Sequence, residues 1–318
     1  MFLSVFYNRF TVLKQKINNF IQSYDEMTVY NINNIIKDYA RFPKFLPGSF
    51  YSEHGWTPYE YHSPSNLDTE QKLFLVFSNR RVAEWKKNNN IPVVNVGSPF
   101  VHFRHMNKIE QDPHAKGTVA FSAHSGTVRI AEFDYESYGN ALKSLPEEFH
   151  PITICMHFDD IKHGRDKRFK NFDFKIVTAG DRNDKNFVLN FYSILRQAKY
   201  TTSNSIGSNV FYAIEMGIPF FIYGEPAVIL NPDPTVETLA PEREFINDTQ
   251  YGKVCYNLFD TGPITYFTKA QLEFVEEELG INDCISPERL NRVLWGNFIR
   301  YGFYKYSKRF IKKVVLGK

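Results

Sequence analysis

Cysteine is scarce in this chain. Its three residues, Cys155, Cys255 and Cys284, show no CxxC spacing and no pairing pattern, which argues against a disulfide framework and for a reducing, cytoplasmic setting. A long apolar run is also missing. No stretch of about 18 apolar residues occurs, so nothing is expected to span a bilayer. The apolar start MFLSVFY is interrupted by Asn8 and Arg9 and lacks a cleavage site, so it is not expected to act as a signal peptide. An excess of one charge is absent too. Lys and Arg total 38 against 35 Asp and Glu, and the net charge of +3 is too small to imply nucleic acid as a partner. Aromatic residues, in contrast, reach 16%, with 30 Phe and 19 Tyr, enough for a large aromatic core. With 318 residues and 43% hydrophobic content, the chain suits two domains of ordinary size.

The middle of the chain alternates between strand-like and helix-like segments. Residues 73–77 read as a buried strand, 80–87 as a helix, and 91–96 as a strand ending at Gly97-Ser98-Pro99. After a polar stretch at 107–117 come a strand at 118–122, a helix at 135–144, strands at 152–156 and 175–178, and a helix at 186–197. This order predicts an α/β fold with two Rossmann-like parallel sheets, divided near Asp112-Pro113 and facing across a cleft. In open α/β sheets, ligands bind beyond the carboxyl ends of the strands.

Polar residues fall at those ends. His124, Ser125 and Gly126 follow the strand at 118–122, His157, Asp159 and Asp160 follow 152–156, and Ala179-Gly180-Asp181 follows 175–178. An imidazole there can donate to a phosphate or stabilise a departing nucleotide without a metal. A single His in such a place is more often structural, but two of them beside one turn favour function. No His/Asp spacing fixes a metal site, and His102-x-x-His105 lacks further ligands nearby, so catalysis without a bound metal or cofactor is expected.

The richest stretch is 199–224, KYTTSNSIGSNVFYAIEMGIPFFIYG. Ser203, Asn204, Ser205, Gly207 and Ser208 precede a helix expected over 210–216, which Gly217-Ile218-Pro219 stops before a strand at 220–223. Free amides at a helix start, a favourable dipole and hydroxyl side chains suit a phosphate. The same hydroxyls can equally serve as helix caps.

A Ser/Gly-rich turn, a short helix, Gly-x-Pro and an apolar strand resemble the nucleotide-diphosphate site of GT-B glycosyltransferases and the related UDP-N-acetylglucosamine 2-epimerases. In those families a Glu that binds ribose lies about five residues before the Gly of Gly-x-Pro. Here Tyr212 stands there, after Phe211, and Glu215 lies closer to Gly217. The departure brings the chain nearer to GT-B enzymes that use CMP-activated acidic sugars, which rely on His and Ser/Thr around the phosphate. The motifs FSAHSGT, PITICMHFDDIKHGR, KIVTAG, TTSNSIGS and FYAIEMGIPFF resemble those of a protein group from bacterial capsule and lipopolysaccharide clusters.

The resemblance implies a glycosyltransferase with a nucleotide-sugar donor and a glycan or lipid-linked acceptor, the alternatives being an epimerase-like enzyme of the same fold and a non-catalytic sugar-binding or scaffold subunit of polysaccharide assembly. Residues 1–116 would form the acceptor-side domain and 117–290 the donor-side domain, with 291–318 as a basic tail. Phosphate ligands would be Ser125, Ser203, Asn204, Ser205, Gly207 and Ser208, with His124 and His157 acting on the leaving nucleotide. In the acceptor domain, Ser52-Glu53-His54-Gly55-Trp56 is similar to an acidic-acidic-Gly motif of CMP-sugar transferases, with His54 in place of the second acid. Either Glu53 or His54 would be the general base, and the segment also reads as an aromatic-rich packing loop.

Both ends of the chain are amphipathic. Residues 300–318 carry seven basic and no acidic residues, with Phe303, Tyr306, Phe310 and Val314 at helical spacing. Such a helix can rest on an anionic membrane, giving a peripheral location on the inner face of the cytoplasmic membrane, or it can dock its apolar stripe on the domain. Phe2, Phe6, Phe10, Leu13, Ile17 and Phe20 form a similar stripe that reads as a docked helix.

Overall fold

The computed structural model describes residues 11–12, 14–16, 29–58, 72–125, 130–230 and 249–315. The N-terminal stripe from Phe2 to Phe20, Gly126 and the last residues 316–318 lie outside them.

The first unit begins with helix α1 (Ile32–Tyr39) and a three-stranded sheet of β1 (Tyr51–Ser52), β2 (Phe74–Val76) and β3 (Val93–Asn95), parallel and in that order. Helix α2 (Asn79–Asn88) crosses from β2 to β3, capped by Ser78, whose hydroxyl accepts the Arg81 N–H. Pro99 opens α3 (Pro99–Met106), where its fixed φ and missing N–H cost nothing. The sequence reading had taken the same proline only as the end of a strand.

The second unit holds β4 (Thr118–Phe121), β5 (Ile130–Glu132), α4 (Tyr135–Lys143), β6 (Ile152–Cys155), α5 (Phe158–Lys162) and β7 (Lys175–Val177). It continues through α6 (Phe187–Leu195), β8 (Tyr200–Ser203), α7 (Ser208–Glu215), β9 (Phe220–Ile222) and β10 (Val228–Leu230). Its main sheet has five parallel strands in the order β7-β6-β4-β8-β9, which is the Rossmann order 3-2-1-4-5. The chain reverses direction across the sheet between β4 and β8, and that is where a crevice opens. Buried residues alternate between the two faces of β4. Val119 and Phe121 join the core shared with the first unit, and Ala120 joins the core on the far side. β5 and β10 form a separate antiparallel pair.

Helices α8 (Gln250–Phe259), α9 (Lys269–Leu279), α10 (Pro287–Asn297) and α11 (Phe303–Phe310) close the chain. The sequence grouped residues up to 290 with the second unit, yet α9, α10 and the turn between them bond the first. Ser98 N–H donates to Leu279 O (2.9 Å), Ile285 N–H to Asn95 O (3.0 Å) and Asn297 Nδ2 to Ser49 O (2.7 Å). Gly280 makes this return possible, since at φ +62° an added Cβ would lie 1.8 Å from the Phe77 carbonyl oxygen.

A buried ionic cluster joins α2, α9 and the segment after β1. Arg80 donates to both oxygens of Glu278 (2.7 and 2.5 Å) and to Glu84 (2.8 Å), while Arg81 donates to Glu53 (2.6 Å) and Glu84 (2.5 Å). All five side chains are buried, so each charge depends on its partners rather than on water.

Beyond α10 the chain runs through 298–302 into α11 and on to 315. Phe298 packs against Trp295, Phe303 and Tyr306, and Val314 is buried. A second apolar set faces outward: Ile299 is 68% exposed, Tyr304 74% and Val315 64%. The single stripe expected from the sequence is therefore split, with Phe303 58% exposed rather than docked.

Candidate functional site

A cavity of about 550 Å³ lies along the carboxyl ends of β7, β6, β4 and β8 and is closed from the other side by residues 54–58 of the first unit. Each strand delivers polar groups to it through the turn that follows. Ser122 and His124 come from β4, His157 from β6, Thr178 and Gly180 from β7, and Ser203, Ser205, Gly207 and Ser208 from β8. The first unit adds His54 and Trp56.

The two histidines from the sheet meet there. The rings of His124 and His157 stack with centroids 4.7 Å apart and planes 16° from parallel. His124 Nδ1 lies 3.0 Å from the Ser125 carbonyl, which fixes it as the donor, whereas His157 Nδ1 accepts the Asp159 N–H at 3.3 Å. Those contacts assign the remaining proton of a neutral His157 to Nε2. Burial lowers the pKa of His157, opposed by Asp159 and Asp160, assisted by Arg182 and opposed again by Asp181. Two imidazolium charges at this spacing would repel by about 3–4 kcal/mol at an effective dielectric constant of about 20. The pair therefore holds one positive charge at most near neutral pH.

Of the two candidate bases, only His54 reaches the cavity. Glu53, adjacent on an extended segment, points to the opposite side, where its carboxylate accepts the Phe77 N–H (2.9 Å) and pairs with Arg81. Burial lowers the pKa of His54, with Glu53 opposing and Arg182 adding to the shift. Its imidazole is therefore neutral at pH 7 and able to accept a proton.

The phosphate turn divides in the same way. Gly207 caps α7 and moves its start to Ser208, two residues earlier than the sequence suggests. The first N–H groups of that helix have no partner within it. Ser203 Oγ accepts the Ser205 N–H (3.1 Å), and Ser208 Oγ accepts the Trp56 N–H (2.9 Å), so Ser208 joins the two units. Ser205 lines the cavity and its hydroxyl makes no hydrogen bond among the described residues.

Asn204 and Ser125 do not line the cavity. Asn204 accepts the Ala123 N–H (2.8 Å) and donates to Glu225 O (3.2 Å), tying the β8 turn to the β4 turn. Ser125 Oγ accepts from Arg165 (2.9 Å) and from the Ala131 N–H (3.2 Å). Asp159 and Asp160 diverge, for Asp160 is buried, accepts the Ser125 N–H and pairs with Arg165 (3.5 Å). Among the described residues no group of three His, Cys, Asp or Glu is placed to hold a metal. His102 stacks on Tyr39 (3.7 Å) and contacts Val96 O (2.6 Å), and burial lowers its pKa to about 4. Glu215 is bound by Arg104 (2.8 Å), away from the cavity.

Aromatic residues make much of the remaining wall, among them Tyr30, Phe100, Phe187, Phe191 and Tyr212, with Tyr212 stacked on Phe100 at 4.6 Å. The sequence gives no sign that these particular rings, among 49 Phe and Tyr, face a cavity. Trp56, which no sequence signal assigns a place in the site, lines the cavity as well.

Fold and site together define an α/β protein with a ligand cavity between two parallel-sheet units. No protein-family model and no curated protein matches the chain. Among solved structures, a UDP-GlcNAc 2-epimerase from Neisseria meningitidis, bound to UDP-GlcNAc, aligns with a TM-score of 0.37 at 9% identity. The alignment covers 72% of this chain and 62% of that one. A putative UDP-N-acetylglucosamine 2-epimerase from Listeria monocytogenes aligns with a TM-score of 0.36 at 11% identity, over 89% and 76% of the two chains. The chain thus spans about three fifths of the Neisseria enzyme. Likenesses this distant carry no inference about what the chain does.

Proposed function

We propose that the protein is a glycosyltransferase that moves a sugar from a nucleotide-sugar donor, CMP-activated in the reading we favour, to a surface-polysaccharide or lipid-linked glycan. The observation that carries this is the cavity at the crossover between β4 and β8, lined by stacked histidines and an open helix start on one side and by His54 on the other. The donor phosphate sits at the start of α7, held by its N–H groups and the Ser205 hydroxyl. His54 takes the proton of the acceptor hydroxyl as its oxygen bonds the sugar carbon. The bond from that carbon to the phosphate oxygen breaks, and the phosphate leaves with the bonding pair while accepting a hydrogen bond from His157 Nε2.

Screening thermal stability against CMP, UDP and GDP and their sugars tests the donor side, since a ligand bound only by the folded state raises its stability. Ser205→Ala should weaken binding of the stabilising nucleotide about tenfold or more while the melting temperature of the free protein stays unchanged. Equal affinity in the variant overturns the placement of the phosphate. Release of nucleotide only when acceptor is present marks a transferase. Turnover of the donor alone points to an epimerase-like enzyme, and binding without turnover to a scaffold.

The acceptor reading extends to the membrane. Arg300, Lys308, Arg309, Lys312 and Lys313 accompany the outward apolar set of Ile299, Tyr304, Ile311 and Val315. Each basic residue near an anionic surface contributes about 1 kcal/mol. The protein should sediment with anionic but not with neutral liposomes, and less so as salt rises. Changing Lys308, Arg309, Lys312 and Lys313 to Glu should abolish the binding. Indifference to anionic liposomes at low salt would leave the segment as a packed helix with a solvated face.

A further inference from the structure

No Lys, Arg, Asp or Glu side chain is among the described residues that line the cavity, yet one cation stands beside it. Arg182 follows β7, two residues beyond Gly180 of the cavity wall. Its carbonyl accepts the N–H of Tyr30 (2.6 Å), which ties the loop to a wall residue contributed by the first unit. The loop is closed on itself as well, for Asp181 Oδ1 accepts the Asn183 N–H (2.8 Å) and Asp181 O accepts the Asp184 N–H (2.8 Å). The Arg182 side chain is half-buried and makes no ion pair among the described residues. Its charge is felt by His54 from one unit and by His157 from the other. A guanidinium kept partly out of water without a carboxylate partner is costly unless a ligand supplies the anion.

Position separates this cation from the start of α7. The loop of Arg182 leaves β7 and the phosphate turn leaves β8, three strand spacings apart in the sheet. At about 4.8 Å per spacing the two loops leave the sheet about 14 Å from one another, so Arg182 and the start of α7 approach the cavity from opposite ends. We propose that Arg182 forms a second anion subsite at the β7 end of the cavity, beside His54 and His157, which takes a carboxylate or phosphate of the substrate distinct from the phosphate at α7. It rests on the reading of this cavity as the substrate site and narrows it to substrates with two separated anionic groups. The flat guanidinium fork matches either anion with paired hydrogen bonds. The charged groups facing the histidines are Glu53 and Arg182 at His54, and Asp159, Asp160, Asp181 and Arg182 at His157. An anion seated on Arg182 offsets the effect of that cation, so it raises the titration midpoints of both imidazoles and binds more tightly as pH falls through them.

Histidine ring resonances of the full chain, followed by NMR through a pH titration, report on this subsite directly. Inorganic phosphate and glucuronate serve as separate probes of the two anion classes. In the native protein and in Ser205→Ala, at least one probe should move the His54 and His157 midpoints upward in a saturable way. Arg182→Gln should weaken that response about tenfold or more, and Arg182→Lys, which retains the charge, should keep part of it. A response to phosphate alone or to glucuronate alone supports the subsite and identifies its anion. Histidines indifferent to both probes, or equally responsive in Arg182→Gln, overturn it. Failure of the donor reading looks different: no nucleotide stabilises the protein, while the anions still move the histidines.

Discussion

Replacing His157 with alanine is expected to lower turnover about 100-fold or more with the protein still folded. The imidazole stacks on His124 in the cavity wall, and in the proposed reaction its N–H would meet the charge that gathers on the leaving phosphate. Its second role, accepting the Asp159 N–H at the start of α5, uses a long 3.3 Å contact, so removing it costs little stability. His157→Gln, which retains a side-chain N–H, should recover part of the rate. Normal turnover with a lowered melting temperature would show instead that the ring serves packing alone. The pH profile carries a companion signature from His54. The proposed base must be neutral to act, and burial holds His54 below the ordinary histidine value of 6.5. Activity should therefore persist as pH falls through 6.5 and disappear only below it, and His54→Ala should remove that limb of the profile.

Arg80→Met should destabilise the fold by about 3–5 kcal/mol, measured as a fall in the urea midpoint at unchanged slope. Arg80 bonds Glu278 and Glu84, donates to Thr57 O (3.1 Å) and lies over the Tyr251 ring (4.2 Å). Its removal leaves the buried carboxylates Glu53, Glu84 and Glu278 with Arg81 as the remaining cation of the cluster. Replacing Glu278 with Leu in the same chain should restore much of the loss, because the pair is then exchanged for apolar volume rather than broken. A loss under about 1 kcal/mol for Arg80→Met would mean that water screens the cluster. Trp56 Nε1 donates to Glu278 (2.5 Å), so the damage should extend to the cavity as weaker nucleotide binding.

Much of the second unit was legible in the sequence because its strands are short, apolar and followed by small polar residues. The segments at 118–122, 152–156, 175–178 and 220–223 sit within one residue of β4, β6, β7 and β9. The pair of β5 and β10 was not, since three-residue strands about a hundred positions apart depend on tertiary contact. Nor was the return of α9 and α10, which hangs on the φ of Gly280 and on bonds to Ser98 and Asn95. At the site, the placement of His124 and His157 followed from the rule for strand ends. What failed was direction. Glu53 and His54 are neighbours, as are Ser203 and Asn204, and in each pair one residue lines the cavity while the other turns away from it to tie segments together. Orientation at that scale is set by a single dihedral angle, which composition and spacing do not encode.

The return of the C-terminal helices also governs how the cavity can breathe. Among the described residues the chain passes between the units twice, once along 107–117, where Asp112 N–H donates to Arg196 O (2.9 Å) and Lys116 N–H to Gln197 O (3.1 Å), and again between α8 and α9. One tether would leave the units free to swivel and tilt. Two crossings, together with the core that the units share, restrict how far the units can part. On the cavity side the Trp56–Ser208 and Tyr30–Arg182 hydrogen bonds both span the gap, so any widening of the cavity works against two contacts on its wall rather than one.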